Sequence, residues 1–333
     1  MQNGIYTLAN DKVYDQLVAL LNSIEHNLGD FPVCVIAYDD NLEKTQAEIA
    51  SRPSVMLLND KNLFAPWEQF SLQLWQAHPT ALNYWQAKGI QGVRRIGMNR
   101  RYCAFDPAAP FENFIYIDAD ALILDDVTPV FDRLESCDLL AYDFQYKDPS
   151  HIYNVNSPKL LEVFTKERIE AEIFCAGFYA SKRGFFLSDQ RDWLVDQLKA
   201  GEADILFPSA PNQSVLNYMV MRSELNVCNL AKEWPTTQCT GNSVTSSHFK
   251  YQNGYLYDHD KRLMYLHYIG LSAQIFTEIC TGINVDFPYR DLFLHYRYLH
   301  EPQNRPQLIG KPKDYQPKPT LRQRLLRKLG LVH

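Results

Sequence analysis

The run Phe114-Ile115-Tyr116-Ile117-Asp118-Ala119-Asp120-Ala121-Leu122-Ile123-Leu124 constrains this chain more than any other stretch, because two carboxylates interrupt an otherwise apolar segment. Four apolar or aromatic residues followed by aspartates read as a central strand ending where its side chains become accessible. Ligands of open α/β sheets bind beyond such carboxyl ends. Two hard oxygen donors there suit Mg²⁺ or Mn²⁺ together with a substrate phosphate. The alternative is a pair of turn or helix-capping carboxylates, which at the edge of a buried strand costs desolvation unless a cation offsets it. The bare triplet also arises by chance. A second one, Asp258-His259-Asp260, reads as a polar turn between Gly254-Tyr255-Leu256-Tyr257 and the apolar run from Leu263.

Around this strand the pattern alternates. Gly4 to Leu8 is a short apolar run, Val13 to Ile24 carries apolar residues at helical spacing, and Phe31 to Tyr38 is nearly continuously apolar, a β-α-β opening. Ser54 to Leu58, Asp138 to Ala141 and Ile173 to Ala180 read as further strands. The region holding Trp67, Phe70, Trp75 and Trp85 reads as helical core. The expected fold is α/β, with a central, mainly parallel sheet flanked by helices. With 333 residues, 46% of them hydrophobic, the chain has material for one extended catalytic domain or two smaller ones, with residues 1–300 expected as the body.

Residues 301–333 differ in character. Eight Lys or Arg stand there against Glu301 and Asp314, a balance of +6, which leaves −12 for the body out of −6 overall. An acidic body disfavours nucleic acid as a partner. Prolines at 302, 306, 312, 317 and 319 read as an extended linker. Beyond them Leu321, Leu325 and Leu329 share one face of a basic amphipathic helix, suited to an anionic membrane surface or to docking on the body. No 18-residue apolar run and no signal-like start occur, so the expected location is cytoplasmic, with peripheral attachment to the inner face of a membrane through the tail. Seven cysteines, odd in number and without a C-x-x-C pair, argue against a disulfide framework or a structural zinc site and read mostly as small core residues.

Five further motifs follow one another within residues 3 to 275: Thr7-Leu8-Ala9-Asn10-Asp11-Lys12-Val13-Tyr14, Arg101-Tyr102-Cys103-Ala104-Phe105, Cys175-Ala176-Gly177, Asn212-Gln213-Ser214-Val215-Leu216-Asn217 and Leu266-His267-Tyr268-Ile269-Gly270. With Asp118-Ala119-Asp120, this series resembles the nucleotide-sugar glycosyltransferases of the GT-A fold, in particular the retaining family 8 group that includes glycogenin. The resemblance implies a UDP-sugar donor held by Leu8, Ala9, Asn10 and Tyr14 at the uracil and by Arg101, Gly177, Asn217 and Gly270 elsewhere. It implies a metal, Mn²⁺ or Mg²⁺, on Asp118, Asp120 and His267, and the imidazole favours Mn²⁺. A hexose would pass to a saccharide, lipid-linked or protein acceptor with retention, by front-face attack through an oxocarbenium ion pair. Gln213 would stabilise the anomeric carbon and Asp143 would bind donor hydroxyls.

Each position also has an ordinary reading. Tyr14 suits an amphipathic helix, His267 a hydrogen-bonded core, Arg101 or its neighbour Arg100 a surface ion pair, and Gln213 and Asn217 the polar face of a helix. The chain departs from the family at three places: Asn212 stands for an Asp, Cys175-Ala176 for Asn-Ser, and no Lys follows Gly270. A non-catalytic nucleotide-sugar-binding protein of this fold therefore remains an alternative. So does another metal-dependent sugar-nucleotide enzyme such as a nucleotidyltransferase, although Leu8 to Lys12 lacks that class's Gly-rich loop with Arg. A haloacid-dehalogenase phosphatase would carry its D-x-D near the N-terminus and Thr or Val where Leu122 stands.

Overall fold

The computed structural model describes residues 2–234, 239–252 and 255–315. In chain order the first strands are β1 (Asn3–Ala9), β2 (Val33–Ala37), β3 (Val55–Leu58), β4 (Asn113–Ile117), β5 (Ala121–Ile123), β6 (Leu139–Ala141), β7 (Phe178–Lys182) and β8 (Val227–Asn229). All except β5 join one sheet in the order β3-β2-β1-β4-β7-β6-β8. β7 is antiparallel to β4 and β6, and the remaining neighbours are parallel.

The apolar runs of β1, β2 and β4 follow from this position, since strands covered on both faces need no polar side. Tyr6, Leu8, Cys34, Ile36, Phe114 and Tyr116 point into one core, with Trp67, Trp75 and Trp85. Ile5, Ala9, Val33, Val35, Ile115 and Ile117 point into the other, with Leu17 and Leu20. The first core lies under the helix Lys61–Ala77 and the 3₁₀ segment Ile96–Phe105, and the second under the helix Tyr14–Leu28. All three tryptophans are fully buried, so the aromatic cluster is core.

Later strands are β9 (Lys250–Gln252), β10 (Tyr255–Asp258), β11 (Lys261–Arg262), β12 (Tyr265–His267), β13 (Ile283–Asp286) and β14 (Ile309–Asp314). β12 lies antiparallel to β5 with His267 opposite Ala121, and this pairing carries a distant histidine to the end of β4. In Asp258-His259-Asp260, Asp258 ends β10, paired with Lys261, and His259 and Asp260 form the turn to β11. In the proline-rich stretch, Pro302–Asn304 makes a 3₁₀ turn and Pro312 sits within β14, which pairs with β13. The basic stretch Leu321–Leu329 lies outside the described residues. Among the described residues, no helix is long and apolar enough to cross a membrane.

One expected strand begins late. The run from Ile173 enters β7 only at Phe178, because the backbone of Phe174–Gly177 bonds largely to side chains.

Candidate metal and donor site

Asp118 and Asp120 occupy the turn between β4 and β5, and His267 ends β12 opposite Ala121. One donor atom from each lies within 4.8 Å of the others. His267 Nε2 stands 3.2 Å from Asp120 Oδ1. The aspartate side chains keep 27% and 25% of their surface accessible, against 10% for His267, so the carboxylates face an opening while the imidazole backs onto protein. The histidine is fixed through its main chain: its N–H donates to Asn242 O at 2.9 Å and its carbonyl accepts from Val244 N at 3.0 Å.

The two carboxylates differ in electrostatics. Burial and the charge of Asp120 lift the Asp118 carboxyl above the usual carboxylate range, against the pull of Arg101. Asp120 is also desolvated, yet the charge and hydrogen bond of His267 hold it below that range. Reciprocally, Asp120 outweighs burial and raises the His267 imidazole. Two carboxylates and an imidazole converging this closely are a candidate donor set for a divalent cation.

Gly177 tests that fit. A Cβ at this position would stand 2.5 Å from His267 Cε1, 3.0 Å from its Nδ1 and 3.3 Å from Asp118 Oδ2. Only a glycine lets the backbone pass beneath these ligands. The closeness of His267 is by itself enough to require a glycine here.

The segment Phe174–Gly177 gathers the other candidates. Asn217, fully buried on the helix Pro211–Arg222, accepts from Phe174 N and donates to the Phe174 and Gln213 carbonyls at 3.0, 2.8 and 2.9 Å. Asp143 Oδ2 accepts from Cys175 N at 3.0 Å, and its Oδ1 accepts from Gln145 N at 3.0 Å. Gln213 Oε1 accepts from Ala176 N at 3.3 Å while its amide donates to His151 O at 3.1 Å. Arg101 Nη1 donates to Ala176 O, and Gly177 O accepts from Asp118 N at 3.0 Å. One short segment thus links Gln213 and Asp143 to Asp118, one of the three candidate metal ligands.

The two neighbouring arginines take different places. Arg101 is 1% exposed, donates to Asp118 Oδ1 at 3.1 Å and lies 4.4 Å over the Tyr116 ring. Arg100 pairs with Glu68 at 2.6 Å. Arg101 is therefore a buried partner of a candidate ligand, neither a surface ion pair nor a free cation. Tyr116, which sequence reasoning passed over, donates its hydroxyl to the same Asp118 oxygen at 3.0 Å. A buried tyrosine needs such a partner, and its place two residues before Asp118 was the available signal.

At the ends of β1 and β2, Leu8 and Ala9 are buried and Ala9 O accepts from Tyr38 N at 2.9 Å. Asn10 donates to Asp39 Oδ2 at 2.8 Å and accepts from Lys12 N at 3.1 Å. Asp39 was also passed over, although it follows an apolar strand just as Asp118 does. The Tyr14 hydroxyl donates to Glu48 at 2.9 Å, and its ring lies 5.5 Å from the Arg297 guanidinium. Gly270 lies exposed in a turn at φ +83°, a left-handed backbone that favours glycine.

A cavity of about 190 Å³ opens beside His267, lined among others by Asp143, Cys175, Asn242, Ser243 and Thr245. Burial raises the Asp143 carboxyl, partly offset by its backbone hydrogen bonds. Burial and the charge of Asp143 push the Cys175 thiol up to about 12, leaving it protonated and unreactive.

No protein-family model matches this chain, and no curated protein matches it. Solved structures do. The bifunctional glycosyltransferase WbbM in its apo form aligns with 92% of this chain at TM-score 0.52 and 15% identity. The chain spans about half of that protein, 52% of its length. The galactosyltransferase LgtC, in complex with donor and acceptor sugar analogues, aligns over 83% of this chain and 94% of its own at TM-score 0.51 and 14% identity. Mouse xyloside xylosyltransferase 1 in its apo form aligns over 82% and 99% at TM-score 0.52 and 11% identity. The fold is GT-A-like. At these identities the likeness speaks for fold alone, and the GT-A-like frame is the context in which Asp118, Asp120 and His267 meet.

Proposed function

We propose that the chain is a metal-dependent glycosyltransferase that moves a hexose from a UDP-sugar to a saccharide, lipid-linked or protein acceptor, with retention as in the family 8 group. The observation that carries this reading is the convergence of Asp118, Asp120 and His267 at the end of the central strand of a GT-A-like fold. In it, residues 1–300 form the transferase domain, and the basic tail, 301–333, meets an anionic membrane surface from the cytoplasmic side.

These three residues would hold Mn²⁺ or Mg²⁺, which when bound supplies charge stabilisation to the departing UDP diphosphate. The chain's own groups prepare that site. Arg101 and Tyr116 orient Asp118 and offset the cost of burying it. Gln213, held by the Ala176 N–H and the His151 carbonyl, would turn its amide oxygen toward positive charge developing at the anomeric carbon. Asp143, on the wall of the cavity beside His267, takes donor hydroxyls. Leu8, Ala9, Asn10 and Tyr14 hold the uracil, Gly270 leaves its loop open to the diphosphate, and Asn217 acts through the Phe174–Gly177 segment.

A second reading, a nucleotide-sugar binder without turnover, rests on the engagement of Arg101 by Asp118 and on the lack of a Lys after Gly270, which together leave the diphosphate without a dedicated cation from these motifs. UDP release from UDP-Gal, UDP-Glc and UDP-GlcNAc, with Mn²⁺ or with EDTA, separates the two. Metal-dependent release from one donor, lost in Asp120→Ala, supports the transferase. Binding of UDP without release from any donor, even with acceptor mixtures, supports the binder.

A further inference from the structure

We infer that this chain carries a second cation site, for a zinc-class divalent ion, formed by His248, Asp258 and His259. One ligating atom from each lies within 4.8 Å of the others. His248 Nε2 is 3.0 Å and His259 Nε2 3.6 Å from Asp258 Oδ1. Tetrahedral zinc, with metal–nitrogen and metal–oxygen distances near 2.0–2.2 Å, sets its ligand atoms about 3.3 Å apart. The two measured separations bracket that value, and both imidazoles are about half exposed, at 44% and 47%, so a small ring rotation closes the set.

The chemistry of Asp258 points the same way. Its side chain is fully buried. Oδ2 accepts from the main-chain N–H groups of Thr240 and of Gly241, the latter at 3.0 Å, which fixes the carboxylate and turns Oδ1 toward the two rings. Thr240 Oγ1, 3.1 Å from Oδ1 and 2.7 Å from His248 Nε2, completes the surround. Among the described residues, the ion-pair partners of Asp258 are these two histidines. A fully buried carboxylate aimed between two imidazole rings gains from a cation held among them. Ligating carboxylates in metal sites are typically held by just such outer hydrogen bonds. The backbone contributes as well: His259 adopts φ +54°, in the left-handed region, which bends the turn so that its ring folds back toward Asp258.

Two imidazoles and one carboxylate select a nitrogen-preferring ion over Mg²⁺ or Ca²⁺. The site would act as a staple. It joins His248 to the β10–β11 hairpin, whose Asp258 holds Thr240 and Gly241, and from there the chain runs on to Asn242, whose carbonyl accepts from the His267 N–H, and to Ser243, Thr245 and Ser246 on the cavity wall. An ion there would fix one wall of the cavity without touching the reacting groups.

The test is a Zn²⁺ titration against a chromophoric chelator, with thermal melts in Zn²⁺ and in EDTA. It uses the full chain as wild type, Asp120→Ala, His248→Ala and His259→Asn. Asparagine tolerates the left-handed turn, and both histidines are half exposed, so the melts in EDTA should match wild type. The expected result is that Asp120→Ala retains a tightly bound zinc and a zinc-induced rise in Tm, while each histidine variant loses both. If Asp120→Ala binds no zinc, or if both histidine variants keep the same zinc stoichiometry and Tm rise as wild type, there is no second site. Should His248→Ala melt early in EDTA, His259→Asn alone decides, because its turn geometry is conserved.

Discussion

Replacing Gly177 with alanine sets a methyl carbon 2.5 Å from His267 Cε1 and 3.0 Å from Nδ1, where carbon contacts settle at about 3.5–4.0 Å. The ring or the segment must therefore yield by about 1 Å. The ring has little freedom: His267 is 8% exposed, bonded through both main-chain groups to Asn242 and Val244, and in register with Ala121. The segment has little more, with Phe174, Cys175 and Ala176 tied to Asn217, Asp143, Gln213 and Arg101. Gly177 is not in the left-handed region, so the penalty is steric alone. Overpacking of this kind costs about 1–3 kcal/mol. If the cost is retained as strain it lowers stability by that amount. If the imidazole retreats instead, Mn²⁺ affinity falls by the equivalent factor, roughly 5- to 150-fold. Titration of Mn²⁺ followed by the signal of the free ion, paired with urea unfolding, reads both channels at once. A Gly177→Ala protein with wild-type Mn²⁺ affinity and wild-type stability would refute the placement of His267 over Gly177.

Three further outcomes follow from the same contacts. Arg101→Met removes the buried cation from Asp118 and should cost about 3 kcal/mol in urea unfolding, the lower end for a broken buried pair because Asp118 keeps some solvent; a loss below about 1 kcal/mol contradicts the pairing. Asn217→Ala leaves the Phe174 N–H and carbonyl unpaired in the core and should destabilise by about 2–4 kcal/mol, against no change if the segment bonds elsewhere. His78 accepts from Thr80 and Ala81 N–H at Nδ1 and sits 3.2 Å from Leu206 O through Nε2, and burial holds its pKa below the usual histidine value. Because folding depresses this pKa, its contribution is present above about pH 6.5 and lost as pH falls through the lower folded value. Tm should therefore drop more steeply from pH 7 to 5 in wild type than in His78→Gln, and equal slopes count against it.

Strand ends were the most legible part of the molecule. The alternation of Ile5, Tyr6, Leu8 and Ala9 between two cores, and the polarity change after Ile117, are local patterns that survive without tertiary information. The meeting of His267 with Asp120 depends on the register of β5 against β12, which no local pattern encodes; only family resemblance suggested it. Neighbouring Arg100 and Arg101 could not be told apart, because which one turns inward is decided by packing of the 3₁₀ segment against Tyr116 and Ala176. The Ile173 run looked like strand because an apolar stretch does not reveal that its N–H groups go to Asn217, Asp143 and Gln213. Asp258 looked like a surface turn residue for a similar reason: its burial comes from Thr240 and Gly241, far away in sequence.

The central claim is that Asp118, Asp120 and His267 form a metal centre for a uridine diphosphate donor. Calorimetric titration of UDP into the protein, with and without Mn²⁺, and into Asp120→Ala, addresses it most directly. Binding that requires Mn²⁺ in the wild type and disappears in Asp120→Ala is the predicted result. Equal UDP binding with and without Mn²⁺, or none under either condition, would contradict it.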